Sequence, residues 1–127
     1  MHKIPLQIQV GRDAEGFLEP VRKDLMYGMK TGENTVLAYG NVDPKFAEWK
    51  KETFFEPENL FDFAAWRKEE NFKKIVRQDE TVDNSGIFIL HDNFAVTVTL
   101  TYTDDDAMNA FLAQLPHKDQ FNIFIVN

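Results

Sequence analysis

Apolar and polar positions alternate along this chain with two periods, and the switches between them mark its predicted elements. "IPLQIQV" sets Ile4, Leu6, Ile8 and Val10 on one side at period two, as a half-buried strand does. Pro5 cannot donate to a ladder, so this strand is expected at an edge or paired only beyond Pro5. "EPVRKDLMYGMKTG" predicts a short helix with Pro20 in its first turn and Gly32 at its end. "TVLAYG", residues 35–40, is β-branched and aromatic and predicts a second strand.

Asp43 followed by Pro44 is a helix-start signal, and Phe46 and Trp49 share a face beyond it. A longer helical stripe begins near Pro57 and runs through Leu60, Phe61, Ala64, Ala65, Phe72, Ile75 and Val76, with charges filling the opposite side. "IFIL", residues 87–90, and "FAVTVTLTYT", residues 94–103, predict two strands joined as a tight hairpin. "DDDAMNAFLAQL" predicts a helix from Asp104, with Met108, Phe111, Leu112 and Leu115 on one side and Pro116 past its end. "FNIFIV", residues 121–126, is nearly all apolar and predicts a central strand buried on both faces.

The predicted order is β-α-β-α-α-β-β-α-β. The expected class is α+β, a mostly antiparallel sheet with helices packed on one face. Residues 35–127 follow the order of a ferredoxin-like split βαβ plan, with an N-terminal β-α extension. The 127 residues fit one domain spanning 1–127, long enough for a self-sufficient core, and twelve phenylalanines predict that aromatic rings dominate it.

Composition narrows the chemistry. The chain has no cysteine, so disulfides, thiolate metal sites and thiol nucleophiles are all excluded. That composition, with no signal-peptide pattern and no apolar run near the roughly 18 residues of a membrane span, leads to an expected cytoplasmic location without membrane attachment. The net charge of −7 is concentrated: residues 78–127 carry Lys118 against Asp79, Glu80, Asp83, Asp92, Asp104, Asp105, Asp106 and Asp119. A field of that sign repels phosphate backbones and argues against nucleic acid as a partner.

The junction of strand and aspartates is the most distinctive stretch. Val96, Val98, Leu100 and Tyr102 point one way, and Thr97, Thr99 and Thr101 the other. An exposed sheet face accounts for the threonines, and a helix cap with a negative first turn accounts for Asp104, Asp105 and Asp106. The functional alternative is a docking face of hydroxyls and carboxylates, to which Asp79, Glu80 and Asp83 would add charge. Trp66, beside Arg67, reads either as core or as an exposed anchor in such a face. A metal site is not expected: the aspartates diverge, and neither the glycine nor the glutamate of an EF-hand loop follows them. His2, His91 and His117 form no zinc pattern, and no phosphate-binding loop, dinucleotide fingerprint or nucleophile elbow is present.

These features favour a non-enzymatic protein-binding module: an inhibitor, immunity-type or adaptor protein. It would dock the acidic surface of its C-terminal third on a basic partner such as a nuclease or a nucleic-acid-binding protein. No catalytic residue, cofactor or metal is called for. The alternative is a small enzyme or ligand-binding domain, with an aromatic-lined pocket between sheet and helices bearing Tyr39, His91 or Tyr102. The expected state is a monomer or a homodimer, the latter formed if a sheet edge pairs with another chain.

Overall fold

A computed structural model describes residues 2–5, 14–41, 43–50, 56–102 and 104–126. Three strands, β1 (His2–Pro5), β2 (Thr35–Gly40) and β3 (Val96–Leu100), form one sheet in the order β1-β2-β3. Both pairings are parallel, with Leu37 of β2 opposite Ile4 on one side and Val98 on the other. The mostly antiparallel, ferredoxin-like arrangement expected from the sequence is therefore incorrect. Parallel neighbours need crossovers, and the chain supplies them: α1 (Ala14–Thr31) between β1 and β2, and the whole of residues 41–95 between β2 and β3.

The hairpin fails for a local reason. After residues 87–90, which join no ladder among the described residues, the His91 N–H donates to the carbonyl of Met29 at the end of α1 (2.8 Å). A turn closed by Phe94 N–H to His91 O (3.1 Å) then sends the chain alongside the start of β2, where Thr35 N–H meets Ala95 O at 3.0 Å. β3 thus enters in the same direction as β2. Gly28 permits this junction, because a Cβ there would stand 2.6 Å from Thr35 Oγ1 and 2.8 Å from Phe94 Cε2.

α1 starts before the predicted point, so Pro20 lies inside the helix, where its missing N–H forfeits one backbone bond. Its apolar face, Leu18, Val21, Leu25 and Met29, is fully buried and joins one core with Leu37 and Tyr39 of β2. Val96 is buried in the same core, and Val98, Leu100 and Tyr102 pack against it. On the other face of β3, Thr97 is half-buried, while Thr99 and, past the strand, Thr101 are exposed.

The long helix expected after Pro57 is broken. α2 (Pro57–Phe61) ends at Asp62, whose Oδ1 accepts from the N–H groups of Ala64 (3.1 Å) and Ala65 (3.2 Å). That side chain offers the backbone a turn in place of a further helical bond. α3 (Glu69–Phe72) is a single turn. Residues 46–49 form a 3-10 turn rather than a helix, because Lys45 before it adopts a left-handed conformation (φ 46°). The remainder of the first predicted strand, residues 6–10, lies outside the described residues. α4 (Asp105–Gln114) matches its expected span. Residues 121–126 do not form the expected central strand: they have no regular structure and no ladder among the described residues, and are exposed from Asn122 onward. Among the described residues, no helix is long and apolar enough to cross a membrane.

Candidate functional site

The acidic turn after β3 is built from the interior outwards. Tyr39, at the carboxyl end of β2, packs against Phe111 of α4 with ring centroids 5.1 Å apart, and Phe46 and Trp49 close on the same ring at 5.7 and 6.1 Å. Phe111 is 1% exposed, so α4 is pinned against the sheet by its middle. The start of the helix is then fixed by Asp104, which accepts from the N–H of Asp106 through Oδ1 at 2.8 Å as its N-cap. Asp105 and Asp106 occupy the first turn, and all three carboxylates face solvent.

The second acidic group, residues 79–83, divides in two. Asp79 and Asp83 are exposed, the latter in a left-handed conformation (φ 49°) within a 3-10 turn. Glu80 turns inward instead. Its two oxygens accept from Nη1 and Nη2 of Arg22, each at 2.8 Å, and Oε2 also accepts from the Arg77 N–H at 3.0 Å. Arg22 is 1% exposed and all five of its N–H groups are used: two reach Glu80, two reach Glu19 and one reaches the carbonyl of Ile75 at 2.7 Å. Arg77 donates to Glu19 as well, at 2.8 Å, which makes a neutral network of two arginines and two glutamates. Hydrogen bonds from Arg22 hold the carboxyls of Glu80 and Glu19 below the usual glutamate range, and Glu80 in turn raises the guanidinium of Arg22 further above its own. Glu80 is thus a tie between α1 and the 75–80 segment and does not belong to the outward face.

Trp66 is not a surface anchor. It is 1% exposed, stands edge-on to Phe94 at 4.7 Å, and carries the Arg67 guanidinium over its ring at 4.8 Å. Arg67 also donates to the carbonyls of Asp92 and Phe94, so this cation closes the start of β3. The indole N–H of Trp66 has no partner among the described residues, and Trp66 lines a cavity of about 20 Å³ with Glu56, Asn59, Leu60, Asn71, Lys74 and Ile75. That space suits one water molecule bridging the indole to its polar neighbours.

No hydrogen bond or ion pair among the described residues joins Asp79 or Asp83 to the Asp104–Asp106 turn. Thr97, Thr99 and Thr101 lie on the opposite side of β3 from the core, beside the buried Val36 and Ala38 of β2. Among the described residues no three His, Asp or Glu side chains are grouped to hold a metal ion. The aromatic interior where a ligand pocket was the alternative is filled ring against ring, and burial pushes the unpartnered Tyr39 hydroxyl well above the ordinary tyrosine range. His91 is exposed, and its Nδ1 accepts from the Asn93 N–H at 3.2 Å.

Sequence reasoning missed Arg22, although the signal was present: an arginine on the Leu18, Val21, Leu25 stripe, three residues after a glutamate, needs partners if that face is buried. Compared with protein-family models, with curated proteins and with solved structures, the chain matches none, so its functional reading rests on its own residues.

Proposed function

We propose that this chain is a non-enzymatic protein-binding module. It acts as an inhibitor, immunity-type or adaptor protein that docks an acidic surface on a basic partner, such as a nuclease or a nucleic-acid-binding protein. A cytoplasmic location goes with this reading, and the lack of cysteine suits it.

One observation carries the reading. Asp79, Asp83, Asp92, Asp104, Asp105, Asp106 and Asp119 are all exposed, and no Lys, Arg or His lies within ion-pair distance of any of them among the described residues. The arginines that would neutralise such a surface, Arg22 and Arg77, are instead matched by Glu19 and Glu80. An unneutralised negative field raises the encounter rate with a positive surface and selects against phosphate-bearing partners. The filled aromatic interior gives the ligand-binding alternative no comparable support.

The test is capture from a lysate of the source organism with a salt-gradient elution, using the wild type and a variant carrying Asp79→Asn, Asp83→Asn, Asp105→Asn and Asp106→Asn. Asp104 is left in place because it caps α4. The expected result is a basic protein released by moderate salt from the wild type and missing from the variant. Equal capture by both forms, or by neither, contradicts the reading.

A further inference from the structure

The most exposed apolar stretch among the described residues lies outside the acidic surface. Phe121 packs against Phe61 and Phe63, with centroids 5.8 and 5.4 Å apart, and fixes the root of the segment that follows. Beyond it, Ile123 is 56% exposed, Phe124 86%, Ile125 68% and Val126 92%. At about 200 Å² for a large apolar residue, those fractions leave roughly 600 Å² of apolar surface in four consecutive residues, the upper end of what a monomer tolerates. The segment is β-branched and aromatic, a composition that favours a strand, and it joins no ladder among the described residues.

The fold also leaves a place for a strand. β3 is the last strand of the sheet and pairs with β2 alone among the described residues. Backbone groups alternate sides along a strand. Ala95 and Thr101 point toward β2, since Ala95 O accepts from Thr35 and Thr101 N–H donates to Gly40 O at 2.7 Å. The N–H and C=O groups of Val96, Val98 and Leu100 therefore point outward from the sheet. Phe94, next on that outer row, already has its carbonyl held by Arg67 at 3.2 Å, which ends the open stretch on one side. Residues 94–102 and 121–126 contain no charged side chain, so the two segments themselves carry no like charges into the contact.

We propose that residues 121–126 of one copy dock as a strand on the open edge of β3 in a second copy, reciprocally, to form a homodimer. Ile123 and Ile125 point to one side of such a strand and Phe124 and Val126 to the other. One pair extends the apolar row of Val96, Val98 and Leu100, and the other extends the face carrying Thr97 and Thr99. Two tails exchanged in this way cover roughly 1,200 Å² before the receiving surfaces are counted, which lies within the size of stable protein interfaces. Reciprocal exchange satisfies both exposed edges and closes, so the assembly stops at two.

Sedimentation of the full chain over a concentration series, combined with amide hydrogen exchange, tests this. The wild type is expected to dimerise, with the Val96, Val98 and Leu100 amides protected only at concentrations where the dimer forms. Phe124→Asp with Ile125→Asp alters exposed side chains and leaves the core intact; it should raise the dimer dissociation constant at least ~100-fold and unprotect those three amides, with an unchanged circular dichroism spectrum. A wild type that stays monomeric overturns the proposal. So does a dimer that survives the double substitution, or a dimer in which the three amides exchange freely. Protection at every concentration overturns it too, since it would mean that the tail folds back on its own β3.

Discussion

Arg22 and Glu80, 58 residues apart in sequence, meet in a two-pronged ion pair, with both N–O distances 2.8 Å and the arginine 1% exposed. The pair ties the first helix to the segment that leads into the third strand. Glu19 and the Ile75 carbonyl complete the arginine's hydrogen bonds, so its charge is buried without an unsatisfied donor. Removing the arginine leaves two carboxylates facing each other and a void; removing one glutamate leaves a partner in place. Arg22→Ala is therefore expected to cost about 3–5 kcal/mol and Glu80→Gln about 1.5–3 kcal/mol. Urea unfolding of the two variants, with circular dichroism as the probe, checks the order.

The same network contributes to the acid limb of stability. Both glutamates have their carboxyls lowered by Arg22, so the native state resists protonating them more than the unfolded chain does. Their contribution is complete above the ordinary glutamate value of 4.5 and is lost as pH falls through the lower native values. Melting temperature should stay level near neutrality and fall steeply below pH 4.5. The fall should be shallower in Glu80→Gln, which has one fewer such group to protonate.

Tyr39 supplies the alkaline counterpart. Its hydroxyl is buried with no hydrogen-bond partner among the described residues, and burial raises its ionisation well above the ordinary value of 10.0. Such a group leaves stability level below pH 10 and lowers it above, where the unfolded chain ionises first. Tyr39→Phe removes an unsatisfied polar group and keeps the ring contacts with Phe111 and Trp49. It should leave stability unchanged or raise it by up to about 2 kcal/mol at neutral pH, and delay unfolding on the alkaline side. Thermal melts from pH 7 to 11 read both effects.

Gly28 is held to its residue type by space. A methyl group there would meet Thr35 and Phe94, both fully buried, well inside contact distance. Although alanine favours a helix over glycine, Gly28→Ala should destabilise by about 1–3 kcal/mol because neither neighbour can withdraw. Its equilibrium unfolding midpoint gives the sign directly.

What could be read from the sequence was local. "TVLAYG" became β2 over its whole predicted length, and Asp104 became the cap of α4, because β-branching and a short side-chain acceptor act on their own backbone. The alternation from Val96 to Tyr102 likewise gave the two faces of β3. Strand direction was not legible, since it depends on how the chain re-enters the sheet before β3, through contacts of His91 with Met29 and of Ala95 with Thr35 that are distant in sequence. The predicted stripe after Pro57 was real in composition, yet Asp62 turned the backbone and let Phe61, Trp66 and Phe72 reach the core from separate turns. Glu80 counted as surface charge in the sequence because its partner is 58 residues away. The nearly all-apolar stretch 121–126 predicted burial, and among the described residues of a single copy nothing covers residues 123–126.

Asp104 separates a structural role from a docking one. Asp104→Ala removes the acceptor of the Asp106 N–H and should cost about 0.5–2 kcal/mol, whereas Asp105→Asn with Asp106→Asn should change stability by under about 1 kcal/mol. Chemical denaturation distinguishes them, and it shows which aspartates can be neutralised without disturbing the fold.

With that variant set in hand, the most direct measurement is the association rate with the captured basic partner as a function of ionic strength. The wild type should associate progressively more slowly as salt is added. The variant neutralised at Asp79, Asp83, Asp105 and Asp106 should be at least ~10-fold slower at low salt, with the two converging at high salt. Equal rates for the two forms at every salt concentration would contradict an acidic docking surface.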